Sequence, residues 1–229
     1  GVQSSNDQLI YNKITKETHT NTLTTPRGGK FRHTLPDGTK VWMNSASSLT
    51  YPTAFTGNTR QVTLSGEAYF DVVRNAKQPF KVNIQDLEVN VTGTEFNVNG
   101  YEEENQVLTT LVEGGVQVKR KLHTQTLKPG QQAISQNNSN TISVTGANLK
   151  QVLSWKDGLF IFDGKQKEEI LRELSRWYDI EIEDRSGQSN ATFSGVLNRN
   201  LNLEELVELL HESNVMNGKI SGRKLIILP

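Results

Sequence analysis

The chain has no cysteine, which removes disulfide frameworks, thiolate zinc sites, iron–sulfur clusters and cysteine nucleophiles from consideration. No run of residues approaches the roughly 20 consecutive apolar positions that cross a bilayer, so the sequence carries no membrane span of its own. Net charge is missing as well, because 25 basic and 25 acidic side chains cancel. A nucleic-acid binder draws most of its affinity from neutralised phosphates and shows a basic excess or stripe. None is visible here. Hydrophobic residues are scarce, 34% of the 229 positions, below the usual globular share. The length still allows one large domain or two modest ones with real cores. The start has no signal peptide. Gly1 before a polar run reads as a cut edge, with a targeting or membrane segment expected upstream.

What the sequence does hold is Asn, Thr and Gly (21, 22 and 18 residues), a bias towards turns and strands. Residues 1–22 are polar, with Leu9, Ile10, Tyr11 and Ile14 as scattered anchors. They are expected to form a tether with a short ordered piece around Leu9–Ile14. Residues 23–146 switch to short alternating runs broken by turn residues. Phe31, His33 and Leu35 alternate, Pro36-Asp37-Gly38 turns the chain, and Val41 and Met43 resume the alternation. Separate strands are expected at Gln61–Ser65 and Ala68–Val73, then at Phe80–Ile84, Leu87–Thr92, Glu95–Asn99, Val107–Val112 and onward to Thr141–Val144. The pattern predicts an all-β lobe, with a sandwich, a jelly roll and a short solenoid-like stack all open.

Residues 147–154 are expected to be a linker, and from 155 to 229 the pattern changes. Ile170, Leu171, Leu174, Trp177 and Tyr178 share one helical face opposite Lys, Glu and Arg. Asn202 with Glu205 three residues on is a capping-box signature for a second helix, whose stripe is Leu203, Leu206, Val207 and Leu210. With strands around them, the order is β-α-β-β-α-β-β, a small α+β lobe. The fold class expected for the whole chain is therefore mainly β with α+β.

The search for chemistry finds little. His19, His33, His123 and His211 have no metal-ligand spacing, and no nucleophile elbow, P-loop or dinucleotide fingerprint occurs. His33 alternates with Phe31 and Leu35, which marks a strand-face residue, and His211 suits the last turn of the second helix. Glu67 and Asp71, four apart on a strand beside Tyr69 and Phe70, are the best carboxylate pair for a sugar cleft. Pairs of this kind recur in any sheet protein. No catalytic residue, cofactor or metal is assigned. A carbohydrate-binding or carbohydrate-active β-sandwich, and an assembly subunit pairing through a long edge, stay as rival readings.

The runs TPRGGKFRHTLPDGTKVWMNSASSLTYP (25–52), LSGEAYFDV (64–72), PFKV (79–82), VTGTEFNV (91–98), LVEGGVQV (111–118) and LKPGQQA (127–133) together resemble the FecR family of anti-sigma factors, also described as iron-dicitrate transmembrane sensors. WKDGLFIFDG (155–164), RWYDIEIE (176–183), FSG (193–195) and LIILP (225–229) are similar to the C-terminal domain of Bacteroidetes members, which resembles the secretin/TonB N-terminal fold. The resemblance implies a periplasmic sensor that binds the signalling domain of an outer-membrane TonB-dependent transducer. The signal then crosses the inner membrane through a single span, with regulated proteolysis, and releases an extracytoplasmic-function sigma factor. The span and the cytoplasmic helical segment are missing from these residues, so the sigma factor is expected to be reached only through that missing segment. The tentative partner-binding residues are Lys224, Leu225, Ile226, Ile227 and Leu228, as a free sheet edge stopped by Pro229, together with Trp177 and Tyr178. An interior position for Leu225–Leu228 is the competing reading.

Overall fold

In the computed structural model, residues 18–187, 191–213 and 216–229 are described in full, together with the backbones of the strands Val2–Ser5 and Gln8–Tyr11. Those two strands pair antiparallel within the segment expected to be a tether. The ordered piece expected around Leu9–Ile14 is met at Gln8–Tyr11, and Ile14 lies outside the described residues. Thr20–Thr25 is also a strand, so the sheet begins inside the polar leader. The alternation of Thr and Asn with Leu23 suits a half-solvated edge.

The chain divides into two units. The first runs to Val152 without Arg27–Gly29, which group with Leu153–Pro229 in the second. In the first unit the turn at Pro36-Asp37-Gly38 closes with Gly38 N–H donating to Leu35 C=O at 2.9 Å. The Asp37 carboxylate takes the Thr39 N–H at 3.0 Å and the Thr39 hydroxyl at 2.8 Å. This is the Asx logic that favours aspartate in turns.

The stretch expected as two strands, Gln61–Ser65 and Ala68–Val73, is one, Arg60–Asp71. Ser65-Gly66 looks like a break in sequence, but it is a bend within a continuous strand. Before it, Thr63–Ser65 pair antiparallel with Ser48–Thr50, and Arg60–Thr63 run parallel to Phe80–Asn83. Beyond it, Ala68–Asp71 pair with Lys40–Met43, and Gly66–Asp71 with Glu95–Gly100. The strand is thus shared by two sheets. One runs Thr20–Thr25, Ser47–Pro52, Arg60–Asp71, Phe80–Ile84, Leu87–Val91, Val116–Arg120, His123–Leu127. The other runs Phe31–Thr34, Lys40–Met43, Arg60–Asp71, Glu95–Gly100, Gln106–Glu113, Gln131–Gln136, Ser143–Gly146. Leu49, Val62, Val82 and Val89 of the first sheet join Val41, Phe70, Phe96 and Val98 of the second in one core. The two sheets, joined through Arg60–Asp71, thus build a single shared core. Phe70 stacks on Phe96 at 5.1 Å, supplying the dense contact such cores require.

The second unit follows the expected order. The strand Leu159–Gln166 leads to helix α2 (Lys167–Tyr178), then to the strands Glu181–Asp184 and Thr192–Asn198. Helix α3 (Leu203–Glu212) and the hairpin Asn217–Ser221/Lys224–Leu228 complete it. A short helix α1 (Leu149–Leu153) precedes it, inside the stretch expected to be a linker. Asn202 caps α3 as its sequence demands: its side chain accepts the Glu205 N–H at 2.9 Å, and Glu205 accepts the Asn202 N–H at 2.8 Å. One core takes Phe160 and Phe162, Ile170 and Leu174 of α2, Leu206 and Leu210 of α3, and Leu225 and Ile227. Both strands with Phe160 or Leu225 therefore cover the helices, each from its own sheet.

Candidate partner-binding surface

Lys224–Leu228 is not an edge. It lies between Glu181–Asp184, to which it runs parallel, and Asn217–Ser221, with which it forms the terminal hairpin. A run that is apolar and close to the chain end reads as an edge, yet the parallel partner arrives from more than forty residues upstream, a pairing no local pattern reveals. The side chains alternate accordingly. Leu225 and Ile227 are buried in the core, while Lys224, Ile226 and Leu228 lie half-buried on the other face. Lys224 Nζ sits 3.2 Å from Glu183, whose exposed carboxylate is held below its ordinary value by hydrogen bonds from Arg185 and Lys224.

Trp177 and Tyr178 close α2 and are packed inward against Phe160, with ring centroids 6.4 and 6.3 Å away. The indole N–H donates to Arg199 C=O and the phenol to Leu201 C=O, both at 2.9 Å. Burial pushes the Tyr178 hydroxyl up to about 12. The Arg199 guanidinium lies over Phe160 at 4.4 Å and over Trp177 at 5.0 Å, and pairs with Glu173 at 2.6 Å. Burial drives the Glu173 carboxyl up, but Lys165 and Arg199 beside it reverse this and hold it below the usual range. Both aromatic rings are thereby committed to the unit's own core.

The Glu67/Asp71 pair does share a face, as the four-residue spacing requires. Glu67 is buried and its two carboxylate oxygens accept from Asn44 Nδ2 at 2.8 Å and Asn97 Nδ2 at 2.9 Å, while Asp71 pairs with Lys40 at 3.4 Å. Tyr69 between them donates to Glu95, and burial with that carboxylate raises its hydroxyl well above the ordinary value. The constellation ties strands together, with Glu67 held in the interior and Asp71 paired across to the neighbouring strand. His33 is buried, with its ring 5.1 Å from that of Tyr51. His211 lies in the last turn of α3, where its position suits the helix dipole. Among the described residues, no cluster of three or more His, Asp or Glu side chains has metal-binding geometry, and no helix is long and apolar enough to cross a membrane.

What the second unit does expose is sheet edge. Its strands form a two-stranded and a three-stranded sheet, so the outer sides of Leu159–Gln166, Thr192–Asn198, Glu181–Asp184 and Asn217–Ser221 lack a strand partner among the described residues. Open edges are the common feature of domains that bind other proteins by adding a strand. Reasoning from sequence missed the candidates because it placed the edge at the chain end. The available signal was Thr192–Asn198, a stretch without charge in an otherwise charged lobe.

Comparison with known proteins agrees with this architecture. Residues 21–117 match the family described as FecR protein, and residues 159–227 match the family described as FecR, C-terminal. Two crystal structures of a proposed anti-sigma factor from Parabacteroides distasonis superpose with a TM-score of 0.83 at 27% sequence identity, covering 91% of this chain and 98% of theirs. No curated protein matches. A two-sheet β unit is thus followed by a small open-edged α+β unit, in the order in which the two family models match. The chain belongs to the FecR family of anti-sigma factors.

Proposed function

We propose that this chain is the periplasmic sensor region of a membrane-anchored anti-sigma factor. It binds the signalling domain of an outer-membrane TonB-dependent transducer and relays substrate availability to an extracytoplasmic-function sigma factor. The observation that carries this reading is the tandem of a FecR domain and a FecR C-terminal domain in one chain, matched over 91% of its length by a protein proposed to be an anti-sigma factor. The geometry is consistent with that role. The Glu67/Asp71 pair is occupied in holding strands together, and the second unit leaves strand edges open, a means of recognition by backbone pairing. The sigma factor and the inner membrane are assigned to segments outside these residues.

Calorimetric titration of this chain with the purified signalling domain of a TonB-dependent transducer from the same organism tests the proposal. Saturable binding at a one-to-one ratio is expected, with no heat from soluble polysaccharides. A chain that ignores the signalling domain, or that binds a polysaccharide instead, overturns it.

A further inference from the structure

Four strand edges in the second unit lack a neighbour among the described residues, and three of them are blunted. Glu181–Asp184 is only four residues long and carries three carboxylates, with Arg185 and Lys224 paired onto Glu183. On Leu159–Gln166 the register slips between Phe162 and Lys165, and Asp163 and Lys165 add charge at the bulge. That strand's first residue is also occupied: Leu159 N–H donates to Ser154 C=O at 2.9 Å, and Leu159 C=O accepts from Arg199 Nε at 3.1 Å. Asn217–Ser221 is five residues long and carries Lys219. Short length, charge and bulges are the devices by which proteins protect an edge from pairing.

Thr192–Asn198 has none of them. It runs for seven residues without a charged side chain or a proline, and Val196 is 59% exposed. Its hydrogen-bonding phase follows from the neighbouring bond in which Arg199 N–H donates to Gly158 C=O at 2.9 Å. In an antiparallel ladder the bonded pairs alternate. With Leu197 opposite Phe160 and Gly195 opposite Phe162, those two residues bond inward, and Val196 turns its N–H and C=O to the open side. Phe193 and Leu197 meanwhile anchor the strand on the unit's core.

We propose that Thr192–Asn198 is the docking edge of this unit, and that its occupant is an extended strand of the transducer's signalling domain, paired through the backbone around Val196. This inference rests on the reading of the chain as a transducer-binding sensor and names the surface that such binding would use. The uncharged edge calls for a partner strand that supplies main-chain donors and acceptors and an apolar side chain beside Val196.

The test uses the full chain and the purified signalling domain. Val196→Pro removes an outward-facing N–H and no ladder bond, a substitution that edge strands tolerate. It is expected to weaken binding at least about tenfold with an unchanged melting temperature. Hydrogen exchange on the unaltered complex provides a second readout that needs no variant: amides in 192–198 are expected to slow by at least about tenfold. Unchanged affinity for Val196→Pro, or unchanged exchange in 192–198 while the signalling domain is bound, overturns the edge and leaves the sensor reading standing. Absence of binding by the unaltered chain overturns both. Pairing of two copies of this chain through 192–198, seen by light scattering, overturns the proposed occupant.

Discussion

At Gly66 the backbone holds φ at +90°, a region closed to most side chains, and a Cβ built there would stand 2.4 Å from Ser47 Oγ and 2.8 Å from Ser47 Cα. The residue is a bend and a close approach at once. Gly66→Ala is therefore expected to cost at least about 2 kcal/mol, since conformational strain and overlap add, and urea denaturation measures it. His33 gives a second prediction. Burial lowers its imidazole from 6.5 to about 4, so the unfolded chain binds the additional proton between those values. Stability contributed by the neutral ring is present above pH 6.5 and is lost as pH falls towards 4, by an amount on the order of a few kcal/mol. Unfolding curves at pH 7 and pH 4.5 should show the loss, and His33→Leu should flatten that part of the slope. Alternation with Phe31 and Leu35 marks the inward position of His33 in sequence. The close approach of Ser47 to Gly66 is not marked, because the two residues meet only when their strands pair.

Elements differ in how far local pattern determines them. The faces of α2 and α3 are written in 3.6-residue spacing, and the Asn202–Glu205 box is legible because both partners lie within one turn. Asn202→Ala should lower stability by about 1 kcal/mol, read as a shift in the melting temperature. Sheet order is different in kind. Ser47–Pro52 is a polar-looking stretch that becomes a buried-alternating strand only because Thr20–Thr25 and Thr63–Ser65 flank it. Lys224–Leu228 is central only because Glu181–Asp184 reaches it from far upstream. The edge at Thr192–Asn198 could be recognised once the strand order was known. Since Ile226 lies opposite Lys219 within the hairpin, Ile226→Pro removes a ladder bond from a central strand. It is expected to cost about 3 kcal/mol or more and to abolish the near-ultraviolet circular dichroism of the aromatic cluster around Phe160. Retention of that signal would contradict the strand order.

Across the molecule, positive and negative side chains balance, and the ion pairs are spent locally, as in Arg60 with Asp37 at 2.6 Å and Arg120 with Asp86 at 2.8 Å. Association through an uncharged edge should then depend little on salt. A tenfold rise in ionic strength is expected to move the dissociation constant for the signalling domain by less than about threefold, and calorimetry at two salt concentrations checks it. The bound domain should also protect the fold, by about 2.7 kcal/mol at a hundredfold excess over the dissociation constant. A large salt dependence would point instead to the charged edge at Glu181–Asp184.

The middle strand of the three-stranded sheet, Lys224–Leu228, is the last of its unit to leave the ribosome. Until it emerges, Glu181–Asp184 and Asn217–Ser221 have nothing between them to join, so this unit must complete itself after its other elements have been made. The same arrangement makes one strand decide whether the sheet exists. Loss of Lys224–Leu228 would leave both of its neighbours without a partner, whereas loss of either outer strand would leave a pair intact.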